Sequence, residues 1–130
     1  MGHLIKLKPS AIKPSQDFLK KGTMDFIFDC FKKGELALLP PPPLVRRDPG
    51  HMDSYIAIDG HNLLAAHEFF GTECEVFLVD SADDFLPNPN NDPRITQRNK
   101  DLSEKFESCV DDANEARSSF QELIQGYNTT

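Results

Sequence analysis

Apolar and polar positions alternate over Leu4-Ile5-Lys6-Leu7-Lys8 and stop at Pro9, which predicts a short strand. Residues 9–22 hold two prolines and a glycine and read as a loop. The period then changes. Met24, Ile27, Phe28 and Phe31 fall on one face of a helix, with Thr23 placed to cap its start. Lys32 and Lys33 suit the last turn of that helix, and Gly34 closes it. Pro40 to Pro43 form an unbroken run that is extended and has no N–H for a sheet ladder. Val45 stands where a proline-module ligand would carry Arg, so the run reads as a rigid connector. Leu44–Arg47 predicts a strand, Asp48-Pro49-Gly50 a turn and Ser54–Ile58 a second strand, together a hairpin with a loose loop. Asp59-Gly60 ends the second strand, His61–Phe70 follows as a helix closed by Gly71, and Cys74–Val79 is a further strand.

The remaining third has a different pattern. Ser81–Asn91 is polar and rich in Asp, Asn and Pro, the composition of a linker. Asp92 stands as N-cap and Pro93 at the first helical position of a long helix. Apolar positions then recur at Leu102, Phe106, Cys109, Ala113, Ala116, Phe120 and Leu123, alternately four and three residues apart. That spacing predicts an amphipathic helix of roughly 25–30 residues, broken near Asp101. The element order is strand, helix, strand, strand, helix, strand, long helix. It is the order of a small mixed α/β domain with helices packed on a short sheet. Residues 1–80 form the domain, 81–92 a polar linker, and 93–130 a helix laid on the domain or on a partner.

Composition narrows the class. At 130 residues the chain fits one domain, and a hydrophobic content of 38% supports a core. No apolar run approaches a membrane span, and Met1-Gly2-His3-Leu4-Ile5-Lys6 does not read as a signal peptide. The three cysteines, spaced 44 and 35 residues apart, make neither a disulfide framework nor a zinc spacing. A reducing, cytoplasmic setting is expected. Charge is uneven. The total is −7, but residues 1–47 hold nine Lys/Arg against four Asp/Glu (+5), and residues 48–130 hold five against seventeen (−12). Phosphate neutralisation supplies most non-specific affinity for DNA, so this balance disfavours general DNA binding. The basic first third can still meet a phosphate locally, through Lys13, Lys20 or Lys21.

Candidate chemistry concentrates at the strand-to-helix junction Ile58-Asp59-Gly60-His61-Asn62. Gly60 permits a tight bend and close approach of a ligand. The helix that follows opens with backbone N–H groups ahead of its own ladder, a favourable place for an anion. Asp59 has three open roles: proton acceptor, metal ligand or helix cap. His61 can act as acid or base, or donate to a phosphate, if it is not simply packed. His61 and His67 are six residues apart on one helix and do not make a metal pair. His51 and Asp53 read as loop residues.

These features together resemble the N-terminal domain of the ParB family, within the ParB/sulfiredoxin fold. The resemblance covers Leu7 to Val79. Lys8-Pro9-Ser10 with Pro14 is similar to that family's opening strand and loop, and Thr23 to Gly34 to its first helix. Pro43-Leu44-Val45-Arg46-Arg47 resembles its "P-hydrophobic-V-R" strand. Tyr55-Ile56-Ala57-Ile58-Asp59-Gly60-His61 with Ala65-Ala66 resembles its signature strand, "DGHHR" turn and helix. Glu75-Val76-Phe77-Leu78-Val79 resembles its closing strand. The resemblance implies a phosphate-handling fold whose members bind nucleotides such as CTP, cleave nucleic acid or transfer phosphoryl groups. Asp59 and His61 are then the catalytic candidates, and Gly60, His61 and Asn62 the phosphate-binding ones. A nucleotide with Mg²⁺ is the cofactor this implies, without a protein metal centre.

The motif departs from the family at two positions. Asn62 replaces the second His, and Leu63 replaces the Arg that would give a bidentate grip on phosphate. Arg46 and Arg47 alternate across a strand, so one of them is the expected substitute, and Leu63→Arg is the expected way to restore the grip. Sulfiredoxin chemistry is not expected, since no Cys stands in the turn. Direct nucleic-acid binding by the basic first third is a further reading, weakened most by Leu63 and the acidic balance, and two other function classes follow. One is a phosphate- or nucleotide-binding domain with residual nuclease or phosphotransferase activity. The other is a catalytically inactive interaction module of the same fold, working as a homodimer or with a protein partner through the 93–125 helix.

Overall fold

Ile56-Ala57-Ile58 and Val76-Phe77-Leu78-Val79 are apolar without a break. Such runs suit strands covered on both faces. In the computed structural model they are the centre of a sheet with helices on each side. The structure describes residues 2–16, 18–81, 85 and 87–126, with the side chains of Met52 and of residues 114–121 outside that description. The strands are β1 (His3–Leu7), β2 (Ile12–Lys13), β3 (Leu44–Asp48), β4 (His51–Asp59) and β5 (Cys74–Leu78), and the helices are α1 (Lys21–Lys33), α2 (His61–Phe70) and α3 (Pro93–Gln125). Short 3₁₀ turns occupy Pro9–Ala11 and Leu36–Leu38. The sheet order is β1-β5-β3-β4-β2. The β1/β5 and β3/β4 pairs are antiparallel, and β5/β3 and β4/β2 are parallel.

Side-chain alternation assigns the two faces. Val45, Ala57, Cys74, Val76 and Leu78 pack with Leu64 of α2. Ile56, Ile58 and Val79 pack on the opposite face with Leu102, Phe106, Cys109 and Ala113 of α3. A third cluster joins α1 to α2 through Met24, Ile27, Phe28, Leu63 and Ala66, and Ile124 near the end of α3 reaches it. Each large apolar side chain buried this way contributes about 1.5–3 kcal/mol. The α3 stripe from Leu102 to Ala113 is therefore covered by its own sheet; the Ala116 and Phe120 side chains lie outside the described residues.

Several expectations need revision. Helix α1 starts at Lys21, not after Thr23, and no side chain caps it from Lys20. The predicted loop over residues 9–22 contains β2, which pairs Ile12 with Tyr55 and Lys13 with Ile56. The β3/β4 hairpin is tight: Asp48 faces His51, leaving Pro49-Gly50 as the connection, with Gly50 at φ +85°. Helix α3 runs unbroken through Asp101 for 33 residues, about 50 Å. Its start behaves as predicted, with Asp92 Oδ1 accepting from the Arg94 amide at 2.9 Å. No described helix is long and apolar enough to cross a membrane.

Candidate functional site

The end of β4 delivers Asp59, Gly60 takes φ +86° and ψ 28°, and α2 begins at once with His61. A side chain at 60 is blocked twice over. The dihedral is one that L residues rarely adopt, and a Cβ there would stand 2.7 Å from Pro43 Cα and 2.9 Å from Pro43 Cβ. The last proline of the run thus packs against the bend. Its carbonyl also accepts from the Phe77 amide at 2.8 Å, which fixes the run to β5. The first helical bond of α2 runs from Leu64 N to Gly60 O (3.1 Å), so the amides of Asn62 and Leu63 precede the ladder.

A cavity of about 400 Å³ opens over this bend. Phe18, Pro40, Pro41, Pro42 and Leu44 form an apolar wall, and Lys20, Asn62, Asp59 and Arg98 supply polar groups around it. Its size lies within the usual range for small-molecule sites. Asn62 Oδ1 accepts from the Lys20 amide at 2.9 Å, tying the start of α1 to the start of α2. Lys20 thereby becomes part of the cavity rim. Asp59 does not cap α2; its carboxylate accepts from Arg98 Nη2 across from α3.

His61 is placed differently from expectation. Its side chain is 2% exposed, and its Nε2 accepts from the Ser15 amide at 2.9 Å. Because Nε2 takes a hydrogen bond, the neutral ring carries its proton on Nδ1. Burial, aided by the nearby charge of Lys105, lowers its pKa to about 3. His61 is neutral at neutral pH and buried, although it borders the cavity. It suits packing of the bend, not proton transfer or an imidazolium grip on phosphate.

Arg46 and Arg47 also fall elsewhere. The β3/β4 register pairs Leu44 with Asp59, Arg46 with Ile56 and Arg47 with Tyr55. Arg46 is thus three residues down β4 from the bend, about 10 Å away. It donates from Nη1 to the Phe106 carbonyl at 2.6 Å and lies 4.0 Å over the Phe106 ring. Arg47 lies over the Tyr55 ring on the other face. Neither lines the cavity. Leu63 faces the α1/α2 core, so an Arg at 63 would place charge among Met24, Ile27 and Phe28 and would not restore a grip. Lys13 and Lys21 are paired with Asp48 (2.7 Å) and Asp25 (3.2 Å), and of the three named lysines Lys20 is the one lining the cavity.

Sequence reasoning missed Arg98 and Phe18. Arg98 was readable in part: it stands four residues before Leu102, on the same helical stripe, and so on the face of α3 that meets the sheet. His67 packs edge-on to Phe31, its Nδ1 2.9 Å from Thr72 Oγ1. Among the described residues, no group of three or more His, Cys, Asp or Glu stands together to hold a metal ion. No protein-family model matches this chain, and no curated protein matches it.

Proposed function

We propose that the cavity at the Asp59–Asn62 turn binds the phosphates of a small nucleotide-class ligand, in a ParB/sulfiredoxin-like domain. One observation carries this reading. A cavity of about 400 Å³ joins the opening of α2 to two cations, Lys20 and Arg98, and to an apolar wall of Phe18 and three prolines. Amides at a helix start and guanidinium or ammonium groups favour anions. Phe18, half exposed, and the proline faces offer an apolar surface for a base. Each charged hydrogen bond to a phosphate is worth about 1.5–3 kcal/mol. Among the described residues Asp59 is the one carboxylate lining the cavity, so a Mg²⁺ ion would arrive held mainly by the ligand's own phosphates.

The reading is binding without turnover by His61, which borders the cavity but is 2% exposed and holds its Nε2 on the Ser15 amide. Titration with CTP, ATP and ADP, followed through the amide resonances of Gly60 to Leu64, tests it. Shifts confined to this turn and to Lys20 are the expected result; a silent turn with every nucleotide defeats the reading. A plasmid-nicking assay separates residual nuclease activity, with His61→Ala and Asp59→Ala as controls.

A second reading, an interaction module, has its own observation. Leu36 and Leu38 are 59% and 56% exposed within one short turn. Light scattering of Leu36→Ser/Leu38→Ser against the parent protein checks it: self-association through this turn is lost in the variant.

A further inference from the structure

Arg46 and Arg98 are both arginines at the junction of α3 with the sheet, yet their settings differ. Arg46 is fastened by the Phe106 carbonyl and ring. Arg98 is 54% exposed at the cavity, its contact there the carboxylate of Asp59, itself 40% exposed. A carboxylate can accept two of a guanidinium's five N–H donors, so Arg98 retains donor capacity for a second anion. Asp59 thus occupies, on Arg98, the kind of position a ligand phosphate would take.

We infer that Asp59 is a built-in competitor for Arg98: a carboxylate latch that a multiply charged phosphate displaces when it enters beside Lys20. This deepens the proposed phosphate site and rests on it. Exchange of partners favours the ligand because a pyrophosphate group carries more negative charge than one carboxylate, and Lys20 adds a second cation on the same rim. The latch therefore selects di- and triphosphates over single carboxylates. It also makes α3 part of the site, since Arg98 comes from a helix 39 residues beyond Asp59. The shared chemistry is the pyrophosphate group, which a nucleoside diphosphate and inorganic pyrophosphate both carry.

Calorimetric titration of the full chain with inorganic pyrophosphate and, separately, with ADP tests the latch in four forms: parent, Asp59→Asn, Arg98→Ala and Arg98→Lys. Removing the competitor tightens binding of both probes several-fold. Removing the cation weakens it by about tenfold or more, with Arg98→Lys in between. Equal behaviour of the two probes identifies the phosphates as the recognised part, and tighter ADP adds a base contact, each consistent with the latch. In an Arg98→Ala background, Asp59→Asn loses most of its tightening effect, because there is no longer a guanidinium to release. An undiminished effect there means simple repulsion by Asp59 and overturns the latch. So does a change of the same sign in Asp59→Asn and Arg98→Ala, which would make the pair a helix anchor only. If the folded parent binds neither probe, the phosphate site itself is refuted and the latch with it. Both residues are solvent-accessible, and circular dichroism of each variant confirms that the comparison is made on folded protein.

Discussion

The two residues flanking Gly60 are two positions apart in sequence and opposite in physical setting. His61 is 2% exposed, bonded at Nε2 to the Ser15 amide, and neutral down to about pH 3. Asp59 stands at the cavity and shares its charge with Arg98. The first is architecture: breaking its hydrogen bond strands polar atoms in a dry interior, at full desolvation cost. The second is an accessible ion pair, worth about 0–1 kcal/mol and readily exchanged. A motif position that favours chemistry by residue type can lose it through burial, while its neighbour keeps it through access to solvent.

The sharpest way to break this contrast is at the glycine that separates the two sides. Gly60→Ala forces a side chain into φ +86° and against Pro43 Cα at 2.7 Å. The expected loss is roughly 3 kcal/mol or more, read by chemical denaturation. Gly60→Asn separates the two causes. Asn tolerates positive φ but keeps the Cβ. If contact with Pro43 dominates, Asn is no better than Ala; recovery to near the parent value would mean that the dihedral alone matters.

Acid sharpens the buried side. The His61 pKa is about 3 in the folded protein, against an ordinary 6.5. Below 6.5 the unfolded chain takes up a proton that the folded chain refuses, so folding stability falls as pH falls. The contribution is complete above the unfolded pKa and is lost progressively down to the folded one. Each unit in that window removes about 1.4 kcal/mol, or about 3 kcal/mol between pH 6.5 and roughly pH 4. His67, lowered in the same direction by burial, adds to the slope. His61→Gln is the control: the pH slope of its stability in this window is shallower by about one proton, whatever its absolute stability. A slope identical to the parent's would show that His61 titrates normally and is not sealed.

A smaller loss is expected one residue away from the ring. Ser15 Oγ donates to the Ala57 carbonyl at 2.6 Å in a buried setting. Ser15→Ala removes that bond while leaving the Ser15 amide on His61, and costs about 1–2 kcal/mol in denaturant midpoint experiments. A larger loss would mean that the hydroxyl, 3.4 Å from Nε2, also holds the ring.

What could be read in the sequence was what is local. The β5 run, the Gly60 bend, the Gly34 and Gly71 closures and the Asp92-Pro93 start of α3 each depend on a few neighbouring residues and their backbone preferences. What could not be read depends on partners far along the chain. Strand β2 is two residues long and exists because Tyr55 and Ile56 pair with it. The start of α1 is tied by Asn62, 42 residues away, so the local Thr23 signal pointed to the wrong place. Arg46 and Arg47 were placed near the bend by strand alternation alone, but the register that sets Leu44 opposite Asp59 carries both away from it. Arg98 enters the site only because α3 lies across the sheet.

The smallest stability effect falls on the accessible side and completes the contrast. Arg98→Ala removes one partner of a pair whose members are 54% and 40% exposed. Water can solvate the remaining carboxylate, and ordering two side chains offsets much of their attraction. A change within about 1 kcal/mol is expected in thermal or denaturant unfolding, diminishing further in high salt. The same substitution is expected to produce the larger change in phosphate affinity. That separation is the signature of a residue presented to a ligand. A stability loss comparable to that of Ser15→Ala would place the Asp59–Arg98 pair with the architecture, on the same footing as His61, and dissolve the distinction between the two sides of the bend.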